Sequence, residues 1–292
     1  MGMSMGEIAA AYAAGGLSAQ DAMRVACHRS RLMGEGEKSL PEDQLGAMAV
    51  VEFSVDELDT FIEEHPEYAG IEPAVYAGPG MTTVGGPREA VVKLVEMLEA
   101  ENKFARLLNV KGAGHTSAVE PILGELAAET ADITPMPLRI PLFSSVDRGV
   151  TYQPGTVVHE PDYWVRCTRQ RVWFLDATQQ AFAAGHTMLV EVSPNPVALM
   201  GMMNTAFSVG AGDSQAQGRL GGVYSRPAGQ TLRCWPAHQP GTDHRLRPAY
   251  RRPAHHLEAP ALLDCRPPLQ RRQRHPAWHE SDSAGRVRRV LH

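Results

Sequence analysis

Cysteine is scarce in this chain of 292 residues, and its four copies lie far apart, at Cys27, Cys167, Cys234 and Cys265. Because neither a CxxC pair nor a His/Cys spacing suited to zinc occurs, we expect free thiols and no metal site. No apolar run approaches the length of about 18 residues that a membrane span needs, so we expect no membrane span. The start carries no basic segment followed by an apolar stretch, so the expected location is the cytoplasm.

Lysine and several apolar residues are missing from the end of the chain. Residues 218–292 carry 14 Arg, no Lys and five acidic residues, whereas residues 1–217 carry 14 basic and 28 acidic residues. This end also lacks Ile, Phe, Met and Asn, and Arg, Pro and His fill 30 of its 75 positions. The missing types have A/T-rich codons, so a shifted reading frame in GC-rich DNA would produce this composition. We expect residues 213–292 to be a non-native, disordered tail.

Prolines interrupt this basic end in RPAYRRPAHH, CRPP and RHPAWH, and they break any helical period. No stretch within it alternates long enough to predict a strand. An arginine-rich end can bind nucleic acid, but such arms usually mix Lys with Arg and contain fewer prolines and histidines. We therefore expect no nucleic-acid partner.

The first residues of the chain contain a chemical motif. GMSMG at residues 2–6 has the spacing GxSxG. In serine acyl-transfer enzymes this spacing forms a nucleophile elbow between a strand and a helix. No strand precedes it here. Either the match is accidental, or the chain begins inside a domain.

Two helices are predicted after this motif, the first within residues 7–16. Ser18, with Asp21 three residues later, is an N-cap pattern that opens the second helix, which runs to about Met33. Arg29 lies on the apolar stripe of that second helix. A guanidinium on an inward face needs an anionic partner. Helix position alone favours a structural ion pair with a local Glu or Asp, and the alternative is an anionic group of a substrate.

A unit with the order β-α-β-β-α-β follows. Its first helix begins with a capping box at Ser54 and Glu57, and its second helix begins at Pro87. The predicted elements are a strand at 47–53, a helix to about His65, the strands AVYAG and MTTVGG around a Gly-Pro-Gly turn, a helix to about Asn102, and the strand FARLLNV. This order is typical of a ferredoxin-like subdomain, which we place at residues 44–110.

Beyond this unit, strands and helices alternate again. RIPLFSSV and TMLVEV are predicted as buried strands, the segment DYWVRCTRQRVWFLDATQQAFAAG leads into an amphipathic helix, and SPNPVALMGMMNTAF forms another helix. The alternation predicts an α/β fold, in which residues 1–43 and 111–212 form part of a hydrolase-like layered core around the ferredoxin-like insert. His115 falls in a loop between a strand and a helix, where catalytic groups are often displayed.

Five motifs occur in an order that resembles the acyltransferase domain of type I polyketide synthases and fatty acid synthases, the malonyl-CoA:acyl-carrier-protein transacylase family. They are GMSMGE at 2–7, Arg29 in CHRSRLM, His115 after the predicted insert, YW at 163–164 and EVSPNPVAL at 191–199. The resemblance covers about residues 2–210. Together with the unusual end, it leads us to expect a domain truncated at its N-terminus and frameshifted after about residue 217.

The resemblance implies roles for individual residues. Ser4 corresponds to the nucleophile, and the backbone N–H of Met5 to one oxyanion donor. His115 corresponds to the base, oriented by a main-chain carbonyl that we expect near Trp173. Arg29 corresponds to the arginine that binds the free carboxylate of a malonyl-type substrate, which favours the substrate as its partner.

Several departures from the family bear on the substrate pocket. Met3 stands where the family has His, and Asn195, in SPNPVALM, stands where many relatives have His. Gly112, Ala113 and Gly114 replace the bulky side chains that usually precede the catalytic histidine, so the pocket is wider or the glycines merely permit a turn. This pattern is most similar to the acyltransferase of the mycolic-acid condensing polyketide synthase, which loads long-chain carboxyacyl groups.

The resemblance implies transfer of a carboxyacyl group from CoA to the phosphopantetheine thiol of an acyl carrier protein, through an acyl-serine ester. The domain would bind no cofactor of its own, and its partners would be the carrier protein and the ketosynthase and linker domains of a parent synthase. Two alternatives remain. One is an inactive fragment of a disrupted synthase gene, because the family's second oxyanion donor lies on an upstream loop. The other is a stand-alone serine esterase, which would not account for Arg29.

Overall fold

Helices and strands alternate along the chain, and the computed structural model describes residues 1–211, 222–226 and 233–234. These residues belong to one unit, Met1–Pro240, and the second unit, Gly241–His292, lies outside the described residues. The helices are α1 (Gly6–Ala13), α2 (Ala19–Ser39), α3 (Val55–Glu64), α4 (Arg88–Ala100), α5 (Glu120–Glu129), α6 (Pro161–Arg169), α7 (Phe174–Ala183) and α8 (Leu199–Ala211). The strands are β1 (Ala47–Val51), β2 (Glu72–Gly78), β3 (Met81–Gly86), β4 (Ala105–Leu107), β5 (Leu142–Phe143), β6 (Thr151–Tyr152), β7 (Met188–Val192), β8 (Gly222–Arg226) and β9 (Arg233–Cys234). Within this described part, no helix is both long and apolar enough to cross a membrane.

Helix α2 begins at the predicted cap, where the Ser18 hydroxyl accepts a hydrogen bond from the Asp21 amide at 3.0 Å. It continues six residues past the predicted end at Met33. The extension packs against α5, because a Cβ built at Gly36 would lie 3.3 Å from Ile122 Cγ2 of α5. One face of α2 is buried and includes the side chain of Arg29.

The first sheet has four antiparallel strands in the order β2-β3-β1-β4. The predicted capping box at the start of α3 is present: the Ser54 hydroxyl accepts from the Glu57 amide, and the Glu57 carboxylate accepts from the Ser54 amide. Helices α3 and α4 cover one face of the sheet with an apolar core that includes Val51, Leu58 and Leu94. The remaining core residues are Ala47, Ala49, Phe53, Tyr68, Ile71, Val84, Val91, Val95, Leu98 and Ala105.

Strand β2 also contributes to a second apolar core, which it shares with α7 and α8. Helix α8 approaches the strand through Gly201, since a Cβ atom built there would lie 2.2 Å from the carbonyl oxygen of Ala77. This core joins the first sheet to the segment that follows His115 in sequence.

Three predictions for the second half differ from the structure, two in extent and one in burial. The strand predicted over 139–146 is reduced to the two residues of β5, because the amide of Arg139 is bonded to the carbonyl of Ala14 instead of a partner strand. The aromatic segment forms two helices, since the backbone is extended at Gln170, between α6 and α7. The strand β7, predicted as buried, is buried on alternate residues only, with Leu189 inside and Val190 half exposed.

The expectation of a tail without strands is also wrong for two segments. Strand β8 pairs in parallel with β7 over five residue pairs, and β9 pairs antiparallel with β8. The sequence GVYSR at residues 222–226 does not alternate apolar and polar residues, so it carries no strand signal of its own. Its hydrogen-bonding partner is the earlier strand β7, in which Met188 pairs with Gly222. The rest of the predicted tail lies outside the described residues.

Candidate active site

Ser4 stands on a tight turn at the start of α1. The amides of Gly6 and Glu7 donate to the carbonyls of Met3 and Ser4, at 2.9 and 3.0 Å. Ser4 has φ 55°, the left-handed region that few residues other than glycine adopt, and such strain recurs at functional sites. A Cβ built at Gly2 would lie 2.3 Å from the carbonyl carbon of Gly6, so this turn requires glycine there.

The imidazole of His115 contacts the Ser4 hydroxyl across 111 residues of sequence. Nε2 lies 2.6 Å from Ser4 Oγ, and Nδ1 lies 3.0 Å from the carbonyl oxygen of Gln170. A carbonyl only accepts, so Nδ1 carries the proton and Nε2 is free to accept one from the hydroxyl. The main-chain carbonyl that we expected near Trp173 is therefore that of Gln170, three residues earlier. The amide of Trp173 instead donates to the carbonyl of Ser145.

Burial first, and the neighbouring Arg29 cation second, lower the pKa of His115 to about 3. Both effects disfavour the charged imidazolium. The imidazole is thus neutral at pH 7 and available as a base.

Arg29 is buried, with 1% of its surface exposed. One terminal nitrogen donates to Ser4 Oγ at 3.2 Å, the other lies 3.8 Å from Cys167 Sγ, and Nε has no hydrogen-bond partner among the described residues. None of the ion pairs of the described residues includes Arg29, so the local structural ion pair that helix position alone favoured is absent from this part of the chain. Burial raises the pKa of the Cys167 thiol to about 11, so this thiol is neutral and does not compensate the guanidinium.

The buried carboxyl group of Glu7 stabilises the turn that carries Ser4. Glu7, with no exposed surface, accepts hydrogen bonds from the Gly2 amide at 3.0 Å, the Tyr163 hydroxyl at 2.6 Å and the Ser145 hydroxyl at 3.3 Å. Burial raises the pKa of Glu7, and the three donors oppose that shift. The sequence signal for this group was the glutamate that closes GMSMGE, to which we assigned no role.

Some of the remaining predicted site residues lie beside Ser4 or His115, and others do not. Met5 lies at the N-cap of α1, beside the nucleophile. Met3 packs against the apolar core between β2, α7 and α8. Residues 112–114 form the turn before His115, which is held by a hydrogen bond from the Thr116 hydroxyl to the Ala113 carbonyl. Asn195 is exposed in the loop after β7, and no hydrogen bond among the described residues joins it to the site.

A strained serine at a helix start, paired with a neutral histidine, is the arrangement of enzymes that transfer acyl groups through a serine ester. No cluster of three or more His, Cys, Asp or Glu side chains in the described segments could hold a metal ion. The chain belongs to the acyl transferase domain family, whose profile matches residues 1–234.

Two of the relatives that the chain matches are synthases of the polyketide type. The chain is 34% identical over 213 residues to a mycocerosic acid synthase-like polyketide synthase of Mycolicibacterium smegmatis, a match that covers 72% of this chain and 9% of that protein. It is 35% identical over 213 residues to phthioceranic/hydroxyphthioceranic acid synthase of Mycobacterium tuberculosis, covering 72% and 9%. The chain thus spans about a tenth of the length of these relatives.

Solved structures with the same fold are acyltransferase domains. One is a loading acyltransferase from the avermectin modular polyketide synthase, with 34% identity, a TM-score of 0.62, and coverage of 72% of this chain and 64% of that one. Another is the acyltransferase domain of the polyketide synthase PpsC of Mycobacterium tuberculosis, with 30% identity, a TM-score of 0.62, and coverage of 71% and 60%.

Proposed function

We propose that this domain transfers a carboxyacyl group from CoA to the phosphopantetheine thiol of an acyl carrier protein through an ester on Ser4. The observation that carries the proposal is the buried Arg29 guanidinium, which lies 3.2 Å from Ser4 Oγ and has no carboxylate partner among the described residues. Ser4 and His115 alone would suit many acyl-transfer reactions. The unpaired cation beside them favours substrates that bring their own anion.

In the first half of the reaction, His115 Nε2 takes the proton of the Ser4 hydroxyl as Oγ attacks the thioester carbonyl carbon. The carbon–sulfur bond then breaks, the CoA thiolate receives the proton from His115, and the acyl group remains on Ser4. In the second half, the carrier thiol gives its proton to His115 and attacks the ester. The bond to Ser4 breaks, and Oγ recovers the proton.

The carbonyl oxygen becomes negatively charged during each attack. The backbone N–H of Met5 is suited to stabilise it, because it follows the nucleophile directly and lies at the positive end of the α1 dipole. Removing one donor of this kind typically costs about 2.7–4 kcal/mol of transition-state stabilisation.

Arg29 supplies selectivity. A carboxylate can accept two parallel hydrogen bonds from a guanidinium, whereas an acetyl group would leave this buried cation unpaired. We further propose that the acyl group is of the malonyl type and carries a substituent, up to a long chain, because Gly112, Ala113 and Gly114 leave little side chain beside the base. A role in polyketide or mycolic acid biosynthesis is the corresponding proposal for the pathway.

We also propose the domain organisation and partners. Residues 44–110 are assigned as a ferredoxin-like subdomain, supported by the strand order β2-β3-β1-β4, and residues 1–43 and 111–212 as the surrounding core. The partners are a carrier protein domain and the ketosynthase and linker domains of a larger synthase, supported by the much greater length of the synthases that the chain matches.

The test is to incubate the full chain with malonyl-CoA, acetyl-CoA or a neutral ester and to measure the mass of the intact protein. We expect a malonyl adduct that disappears in Ser4→Ala and moves to a holo carrier protein when one is added. Ser208→Ala, on α8, is the control and should keep the adduct. Hydrolysis of the neutral ester without a malonyl adduct would favour the esterase, and no reaction with any substrate would favour the inactive fragment.

A further inference from the structure

His115 has a backbone conformation that is unusual for a residue with a side chain. Its φ is 62°, in the left-handed region that few residues other than glycine adopt. Such a strained conformation persists only where neighbouring groups hold it, and strain of this kind is concentrated at functional sites. The contact between His115 and Ser4 therefore depends on the groups that hold this segment of the chain.

The side chain of Glu72, the first residue of β2, joins two segments that meet at the imidazole of His115. One carboxylate oxygen accepts a hydrogen bond from the amide of Ser117, two residues after His115, at 2.7 Å. The other carboxylate oxygen lies 3.1 Å from a terminal nitrogen of Arg169. Arg169 directly precedes Gln170, whose carbonyl oxygen is the partner of His115 Nδ1. Glu72 is thus bound both to the segment with the base and to the segment with the orienting carbonyl.

Arg169 makes a second connection of the same kind. Its Nε donates to the carboxylate of Glu120, at the start of α5, at 2.9 Å. The side chains of Glu72 and Arg169 are each 30% exposed, so their ion pair is screened less than one at the open surface. Partial burial raises the pKa of Glu72, but the bonds from Ser117 and Arg169 outweigh this effect and keep the pKa below its usual value. The Glu72 side chain is therefore a carboxylate at neutral pH.

Strand β2 also binds the segment after Gln170, but through its backbone. The amide of Val172 donates to the carbonyl of Ala74 at 2.8 Å, and the amide of Tyr76 donates to the carbonyl of Val172 at 2.9 Å. These two bonds do not depend on the side chain at position 72. A change at Glu72 should therefore displace the imidazole and the carbonyl relative to each other while β2 keeps its place in the sheet.

We propose that Glu72 and Arg169 are positioning residues, whose ion pair holds the His115 imidazole against the Gln170 carbonyl. The inference rests on the proposed function, because it takes His115 as the base that serves Ser4. Both side chains act through His115: the carbonyl keeps the proton on Nδ1, so that Nε2 can accept the proton of the hydroxyl. A displacement of about 1 Å in such a pair can lower the rate about 100-fold.

The first experiment measures malonyl loading of the full chain by intact mass against time, at increasing concentrations of malonyl-CoA. Glu72→Ala and Arg169→Ala should lower the maximal loading rate about 10- to 100-fold, because the base is displaced. The concentration at half-maximal rate should stay unchanged, since Arg29 is not altered. Glu72→Gln should recover part of the rate, because its amide oxygen still accepts from the Ser117 amide.

Arg31→Ala is the matched control for loss of an ion pair. The Arg31 guanidinium likewise binds two carboxylates of a neighbouring helix, Glu125 at 3.0 Å and Glu129 at 3.1 Å. Its side chain is 38% exposed, close to the value for Arg169. This variant should keep the wild-type maximal rate.

Two further measurements do not depend on an acyl substrate. The Nδ1 proton of His115 should give an imidazole N–H resonance in the ¹⁵N-edited spectrum of the wild-type chain, assigned by its loss in His115→Ala. This resonance should be lost or broadened in Glu72→Ala and kept in Arg31→Ala. Phenylmethylsulfonyl fluoride, which sulfonylates activated serines, should label Ser4 more slowly in Glu72→Ala than in Arg31→Ala.

The outcomes separate the positioning role from the proposed function. Equal maximal rates and equal Nδ1 signals in Glu72→Ala and Arg31→Ala overturn the positioning role and leave the proposed function intact. A higher half-saturating concentration with an unchanged maximal rate also overturns it. If Glu72→Ala does not fold by circular dichroism, Arg169→Ala decides, and a wild-type rate there overturns the role.

The wild-type chain distinguishes failure of the proposed function. Sulfonylation of Ser4 without malonyl loading overturns the carboxyacyl transfer alone, and the sulfonylation rates of the variants then test the positioning role. Absence of both reactions in the wild-type chain overturns both claims.

Discussion

Arg29 and Ser4, 25 residues apart in sequence, lie with a guanidinium nitrogen 3.2 Å from the hydroxyl oxygen. The hydroxyl also contacts the neutral imidazole of His115 at 2.6 Å, so one oxygen is in contact with both a base and a buried cation. A cation at this distance stabilises negative charge on the nucleophile and attracts anionic substrates. Two consequences can be measured, one for selectivity and one for pH dependence.

Arg29→Ala should lower kcat/KM for malonyl loading by about 10- to 150-fold, because a hydrogen bond to a charged group contributes about 1.5–3 kcal/mol. Acetyl loading should change little or rise, since no buried cation is then left unpaired. The measurement is the rate of acyl-enzyme formation with each CoA ester. Arg24→Ala, which removes a guanidinium paired with Asp132 at the surface of the same helix, is the control. Equal losses for malonyl and acetyl groups would contradict a carboxylate-binding role.

The pH dependence of loading should follow the lowered pKa of His115. Because the imidazole stays neutral well below its usual pKa of about 6.5, kcat/KM should remain constant from pH 8 down to about pH 5. In Arg29→Ala the cation no longer disfavours the imidazolium, and the imidazole is less buried. The pKa of His115 should therefore rise, and the acidic limb of the pH profile should move to higher pH. Incubation at pH 5 followed by assay at pH 8 separates titration from unfolding. A wild-type profile that falls near pH 6.5 contradicts the prediction.

The lowered pKa of a buried histidine also has a consequence for the stability of the fold. Burial also lowers the pKa of His159, to about 4. The unfolded chain binds protons at both positions near pH 6.5 and the folded chain does not, so the free energy of unfolding should fall as the pH drops below about 6.5. Urea unfolding of wild type and His159→Phe at pH 7.5 and 5.5 tests this. The variant should lose less stability between these pH values than wild type, and an equal loss would exclude His159 as a contributor.

The buried Glu7 should make Tyr163 important for stability. Tyr163→Phe removes the 2.6 Å hydrogen bond to Glu7 and should lower the free energy of unfolding by about 1–3 kcal/mol, the cost of leaving a buried polar group without a partner. Tyr152→Phe is a matched control, because its hydroxyl donates to Asp147 at 2.7 Å in a partly exposed setting. It should cost less than Tyr163→Phe. Comparable losses in urea unfolding would show that Glu7 does not depend on this donor.

The contact between α8 and β2 predicts opposite effects for two helical glycines. Gly201→Ala would bring a methyl group within 2.2 Å of the Ala77 carbonyl oxygen and should destabilise the fold by about 1–3 kcal/mol. Gly34→Ala meets no atom within 4 Å and should stabilise α2 by up to about 1 kcal/mol through helix propensity. Thermal unfolding of both variants checks the pair. A neutral Gly201→Ala would mean that α8 can move away from the strand.

Local patterns in the sequence predicted elements well wherever one short interaction decides the structure. The caps at Ser18 and Ser54 begin α2 and α3 as expected, because each hydroxyl accepts from an amide only three residues away. The strands and helices between residues 47 and 107 likewise occur where the pattern predicts them, although the last strand is only three residues long.

Those local patterns did not predict interactions between segments that are far apart in sequence. The carbonyl that orients His115 belongs to Gln170 because the chain bends there between two helices, and the sequence suggested one continuous segment. Strand β5 is short because its neighbours bond to loops, and β8 exists because β7 offers it a partner. For Arg29, the helical period indicated burial, and helix position favoured a local ion pair that the described residues do not contain.

The sequence by itself determined which residues could do the chemistry, since GMSMGE, the arginine on a helical stripe and the histidine after a strand can be read along the chain. Only the tertiary structure decided that Ser4, Arg29 and His115 meet at one oxygen, and that Glu7 supports the turn beneath them. The physical reason is that residue type and local period fix what a side chain can donate, accept or bury. Distances between groups far apart in sequence are set by the packing of whole helices and sheets.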